Sequence, residues 1–173
     1  MNTMNLGATI IKSRRSVRSY TDKPVSEEII KETLECGRLA PTAMNLQPWL
    51  LGVVTERELL EKIAGITDHG KFITHAAVCF VVCGDKKAKY YLEDCCAATM
   101  NIITCLQAYG IGTCWVAGDK KEYGADICKL LEIPEMFSLI SLIPAGYPKE
   151  VQIPKKKPGK EIFFTNRWKP EER

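Results

Sequence analysis

Apolar positions along this chain change period several times, and each change marks an element. From Asn5 to Lys12 they recur at helical spacing, with Leu6 and Ile10, joined by Met4 or Ile11, facing inward. Pro24 breaks the chain, and Ser26 stands where an N-cap belongs, so a helix is expected from there to about Arg38. Its inner face is Ile29, Ile30, Thr33 and Leu34; Val25 and Ile30 can staple its start, and Gly37 lies near its end. Trp49–Val54 is a buried strand, and Thr55 with Glu58 forms a capping box for a helix ending near Gly65. Ile66–His75 is polar and irregular. Ala76–Cys83 is a continuous valine-rich run, as expected of a central strand covered on both faces.

Tyr90–Tyr109 is the longest helix expected, with Gly110 as its stop. Its stripe of Ala97, Ala98, Asn101, Ile102, Cys105 and Leu106 allows close packing, either within the core or against a second copy. Ile111–Gly118 follows as a glycine-flanked strand, then a helix from Lys121 to Leu131, stopped by Pro134. Phe137–Tyr147 is a strand whose Pro144 implies pairing on one side only at that point. From Pro148 the chain is rich in proline and lysine and then aromatic (Ile162, Phe163, Phe164, Trp168), a tail that must pack on another surface, such as a partner subunit.

The 173 residues, 46% of them hydrophobic, suffice for one globular domain, 1–173, with 148–173 as an extended tail. The apolar runs are too short to span a bilayer, and the N-terminus lacks the pattern of a signal peptide, so a cytoplasmic protein is expected. A net charge of only +3 argues against an obligate nucleic-acid binder. Basic residues cluster at Lys12–Lys23 and at Lys155–Lys157 with Lys160, as two solvated faces or as one site built from both ends. The eight cysteines include no C-x-x-C, and in a reducing compartment they read as small buried hydrophobes. Cys79 and Cys83 share a strand face but lie roughly 13 Å apart along it, too far to grip one metal unless the strand bends. Neither a G-x-G-x-x-G fingerprint nor a P-loop is present.

Two stretches carry candidate chemistry. Ile10–Tyr20 sets Arg14, Arg15 and Arg18 around Ser16. Guanidinium forks and a hydroxyl suit phosphate oxygens, although such a run is also what a solvated basic turn looks like. Ala40–Trp49 brackets Asn45 and Gln47 between Pro41 and Pro48, and carboxamides both donate and accept, which suits the mixed edge of a heteroaromatic ring.

Arg14-Arg15-Ser16-Val17-Arg18, Ala40–Trp49, Gly110–Gly118 and Asn166-Arg167-Trp168, in that order, resemble the nitroreductase family of FMN-dependent oxidoreductases. The resemblance implies an α+β fold with a central mixed, mostly antiparallel sheet flanked by helices. It also implies an interlocked homodimer whose C-terminal extensions wrap the partner, with FMN at the interface. Arg14, Ser16 and Arg167 would hold the FMN phosphate, which carries about −1.5 to −2 charges. Arg15 would make backbone or ribityl contacts. Arg18, with Lys71 as a second cation, would sit near flavin N1 and C2, where reduction places negative charge. Pro41, Thr42, Ala43, Met44 and Asn45, with Gln47, would cover the ring from the other subunit. Trp115 and Val116 would lie at the cofactor, and Ala117 and Gly118 would set backbone amides near N5 and O4. NADH or NADPH would reduce the flavin and leave, and an electron-poor acceptor such as a nitroaromatic or quinone would follow in a ping-pong sequence. No protein nucleophile is needed, and no metal.

The chain departs from the family pattern in three places. Only Gly84–Lys89 stand where many members carry a helical lid insertion; Thr165 replaces a lysine two residues before the tail arginine; and Ala117 replaces an acidic residue of some members. Two other readings compete: a flavin store or sensor without nicotinamide turnover, and a cysteine-based metal or iron–sulfur carrier.

Overall fold

A computed structural model describes residues 5–168. The elements run α1 (Leu6–Ser13), α2 (Glu27–Arg38), β1 (Trp49–Val54), α3 (Arg57–Ile66), β2 (Val78–Asp85), α4 (Tyr91–Ala108), β3 (Gly112–Thr113), β4 (Val116–Ala117), α5 (Tyr123–Leu130) and β5 (Phe137–Gly146). The sheet order is β1-β2-β5-β3, with β4 also on β5, and every strand pair is antiparallel.

β2 shows why its sequence is apolar throughout. Cys79, Val81 and Cys83 point to one face and pack with Leu60 and Ile63 of α3 and Ile127 of α5. Val78, Phe80 and Val82 point to the other and pack with Ile102, Ile103 and Leu106 of α4. The helices thus form a layer on each side of the sheet, the α+β arrangement expected. α2 covers α4, with its Ser26 cap in place (Ile29 N to Ser26 Oγ, 3.4 Å) and Val25 and Ile30 in one cluster. Among the described residues no helix is long and apolar enough to cross a membrane.

Four local expectations need correction. α1 forms, capped by Asn5 (Ala8 N to Asn5 Oδ1, 3.0 Å), but Leu6 is 69% exposed and none of its residues is buried. Helical periodicity identifies an apolar face without saying what covers it. Met4 lies outside the described residues. The Thr55–Glu58 capping box does not form: α3 starts one residue later, after Glu56, and Glu58 pairs with Lys62 instead.

The Ile111–Gly118 strand is broken into β3 and β4 at Cys114 and Trp115, and both pieces flank β5. β5 is therefore the central strand, paired on both sides despite Pro144. The Pro144 carbonyl faces the β3–β4 side, taking bonds from Cys114 N (3.4 Å) and Tyr20 Oη (3.1 Å). Its missing N–H falls in the gap between β3 and β4, where no ladder bond is lost. β5 also bulges: Val82 pairs with Ser141 and Cys83 with Leu139, leaving Ile140 as the extra residue.

Candidate functional site

The Arg14–Thr21 segment leaves α1 and runs extended along the sheet edge. Ser16 bridges Thr113 in parallel, and Val17 N donates to Thr113 O at 2.8 Å. Further on, Tyr20 bridges Pro148, and Thr21 N donates to Tyr147 O at 2.9 Å. Val17 and Tyr20 both point inward and are buried with Ala76. Gly112 makes this approach possible, since a Cβ there would meet the Val17 side chain at 2.7 Å. Ser16 is half-buried and Arg18 exposed.

The three arginines are not equivalent. Arg15 turns back to donate to Lys12 O (2.7 Å) and Arg14 O (2.8 Å), capping the end of α1. Arg18 lies over the Phe72 ring at 5.8 Å. Arg14 is half-buried and makes no side-chain hydrogen bond or ion pair among the described residues. It lines a cavity of about 270 Å³ with Lys12, Arg15, Ser16, Pro154 and Lys156. A neighbouring cavity of about 110 Å³ lies between Ser16, Arg18, Glu150 and Gln152. Cys114 sits behind this row: burial pushes its thiol up, while Arg18, a hydrogen bond with Ser16, and Arg14 pull it back. Arg14 and Ser16 thus line one cavity of the row, and Ser16 and Arg18 the other. Lys156 shows that both basic ends of the chain contribute, as one of the two sequence alternatives had it.

The amide loop is held elsewhere. Asp94, buried on the first turn of α4, accepts from Thr42 Oγ1 (2.8 Å) and Ala43 N (3.1 Å). Thr42 Oγ1 in turn accepts from Gln47 N (3.0 Å), and Gln47 Nε2 donates to Asn45 O (3.2 Å). Met44, Asn45 and Gln47 all have positive φ, from 51° to 55°. Gln107, near the other end of α4, reaches Ser13 beside the arginine row (3.2 Å). The thirteen-residue step from Asp94 to Gln107 spans about 20 Å of helix, so the loop and the arginine row are anchored toward opposite ends of α4.

Other expected site residues are differently employed. Val116 belongs to the core and Trp115 packs against it. Gly118 N donates to Ile140 O (2.9 Å), the carbonyl freed by the bulge, so this amide is committed to the sheet. Its lack of a side chain serves packing, since a Cβ would meet Leu139 at 2.4 Å. Ala117 is exposed, and its carbonyl accepts from Tyr123 Oη. Lys71 Nζ bonds Gly65 O (2.7 Å), one residue from the Phe72 that underlies Arg18. Arg167 is exposed and lines neither cavity of the arginine row.

Sequence reasoning missed Asp94 and Cys114. For Asp94 a signal existed: a carboxylate four residues before Ala98, on the apolar stripe of the longest helix.

The sequence model of the Nitroreductase family matches residues 11–68 and 68–147. The chain belongs to the nitroreductase family. A protein of Archaeoglobus fulgidus, provisionally named NADH dehydrogenase/NAD(P)H nitroreductase, is 37% identical over 147 residues, covering 82% of this chain and 84% of that one. A crystal structure under the same provisional name, from Bacteroides thetaiotaomicron, superposes with a TM-score of 0.91 at 32% identity, covering 96% of this chain and 100% of that one. A provisionally named nitroreductase from Desulfovibrio desulfuricans, solved in complex with FMN, superposes at 0.86 with 26% identity, covering 96% and 100%. Within this nitroreductase fold only Lys86–Tyr90 join β2 to α4, so no helical lid stands there.

Proposed function

We propose that this chain is an FMN-dependent oxidoreductase that passes electrons from NADH or NADPH to an electron-poor small molecule, such as a nitroaromatic or quinone, in a ping-pong sequence. The observation that carries the reading is the uncommitted, half-buried Arg14 beside Ser16 and Arg18. Buried charge without a partner is costly, and a phosphate supplies the missing anion. The donor set fits FMN: Arg14 and Ser16 hold the phosphate, Lys156 adds charge from the tail, and Arg18 stands along the row toward the ring. When bound, FMN supplies the two-electron chemistry, accepting hydride from the nicotinamide and returning electrons to the acceptor that replaces it. The protein's part is to bind, orient and offset charge.

The working unit in this reading is a homodimer. The amide loop and the arginine row belong to opposite ends of α4, so a second copy running antiparallel along that helix brings one chain's loop to the other's arginines. Leu6, Ile11, Met100 and Tyr109, with Phe163, Phe164 and Trp168 of the tail, are exposed and supply apolar area for such a contact. Arg167 travels with that tail and joins the phosphate ligands.

Anaerobic titration of the purified protein with NADH and NADPH in parallel, followed by a panel of acceptors, tests this. The expected result is a yellow protein that bleaches with a nicotinamide and regains colour with an acceptor. Yellow protein reduced by dithionite but by neither nicotinamide would instead indicate a flavin store, and colourless protein that takes up no FMN would refute both.

A further inference from the structure

The loop over Thr42–Gln47 is shaped in a way its own sequence does not favour. Three non-glycine residues within four positions, Met44, Asn45 and Gln47, hold left-handed backbone, each costing on the order of 1–3 kcal/mol. Local apolar burial does not compensate, because Met44 and Leu46 both point to solvent. Turn bonds within the loop (Asn45 N to Thr42 O, 3.3 Å; Leu46 N to Ala43 O, 3.1 Å) oppose the strain, and one relay ties the loop to α4. The Asp94 carboxylate, 7% exposed, accepts from the Thr42 hydroxyl at 2.8 Å and the Ala43 amide at 3.1 Å. With its proton directed to Asp94, the Thr42 oxygen is free to accept the Gln47 amide at 3.0 Å. The direction of the relay therefore depends on a group at position 94 that only accepts.

We infer that Asp94 is a positioning residue for the flavin reaction: it fixes the strained Thr42–Gln47 loop so that Asn45 and Gln47 meet the polar edge of the ring. This rests on the flavin reading above and extends it to a residue that touches no cofactor. Asp94→Asn preserves size but leaves one acceptor oxygen where the carboxylate has two. With that oxygen on Thr42 Oγ1, the new NH2 turns toward the Ala43 amide, donor against donor; with it on the Ala43 side, the NH2 donates to Thr42 Oγ1 and competes with Gln47 N. Thr42→Val removes the hydroxyl altogether, whereas Thr42→Ser retains it.

The test has two arms on the full-length protein. Amide exchange reads the loop directly: protection at Ala43 and Gln47 should fall at least about tenfold in Asp94→Asn, fall at Gln47 in Thr42→Val, and stay at the wild-type level in Thr42→Ser. FMN affinity and the flavin absorption spectrum read the consequence. Binding should weaken about tenfold in Asp94→Asn and Thr42→Val, with a shifted flavin band, and return to the wild-type value in Thr42→Ser. Unchanged exchange in both loosening variants would overturn the proposal. So would lost protection with wild-type FMN affinity and spectrum, because Asp94 would then be only a structural tether. If Asp94→Asn does not fold, the Thr42 pair decides alone. Failure of the flavin reading itself is distinguishable, since wild-type protein would take up no FMN.

Discussion

The Arg14–Thr21 segment and the Pro41–Pro48 loop are both irregular, both polar, and held in opposite ways. The first borrows the sheet: main-chain bonds to Thr113 and Tyr147 and buried Val17 and Tyr20 fix it, with φ values that any residue accepts. The second hangs on one carboxylate and keeps three left-handed residues. A backbone-pinned edge suits a fixed charge array, whose ligand is a compact anion. A side-chain-pinned loop can present carboxamides at angles that regular structure does not provide, at the cost of depending on its anchor. The first lies near the C-terminal end of α4, where Gln107 meets Ser13; the second is tied to its first turn through Asp94.

The largest expected effect is on charge in the pinned segment. Arg14→Ala should weaken FMN binding by about 1.5–3 kcal/mol, since a charge-assisted bond to phosphate is lost. Arg15→Ala should cost far less affinity, because that guanidinium already serves Lys12 and Arg14 carbonyls. Equilibrium dialysis of the two variants separates the roles, and equal losses would contradict the division. Next in size is the pinning itself. Gly112→Ala places a Cβ 2.7 Å from Val17 and should destabilise the protein by about 1–3 kcal/mol in urea unfolding, with FMN affinity falling in step. Retained stability would mean that the segment can lift from the edge without consequence.

The loop should respond in the opposite sense. Met44 is 76% exposed at φ 53°, so Met44→Gly removes strain and loses little burial. A gain of about 0.5–1 kcal/mol is expected after glycine's extra unfolded-state entropy is subtracted. A loss of stability in thermal unfolding would mean that the strain is illusory.

How much of this was readable in advance follows the same division. The continuous run at Ala76–Cys83 announced β2, because a strand apolar on both faces can only be central. The arginine row announced itself through residue type alone. What stayed hidden depends on geometry that adjacent residues share: Arg14 and Arg15 look alike in sequence and line one cavity, yet Arg15 spends its guanidinium on the carbonyls that end α1 while Arg14 has no side-chain partner among the described residues. The bulge at Ile140 leaves no mark in a segment that is apolar on both faces, so Gly118's commitment to that carbonyl could not be foreseen. Pro144 misled because a missing donor was counted without knowing that the neighbouring strand is interrupted opposite it.

The smallest effect reports the pinned segment's field without any ligand. Cys114 lies behind Ser16; burial raises its thiol above the ordinary range, and Arg18, Ser16 and Arg14 partly reverse this. Arg14→Ala should therefore move its titration upward, read as the difference in ultraviolet thiolate absorbance against Cys114→Ser in each background. Met44→Gly, in the loop, should leave it unmoved. The sign for stability follows from the same shift: a thiol raised in the folded state contributes stability that is intact below the unfolded thiol value and is lost as pH rises toward the folded one. The Arg14 variant should hold that contribution to slightly higher pH than the parent. An unshifted titration in Arg14→Ala would show that this guanidinium's field does not reach Cys114.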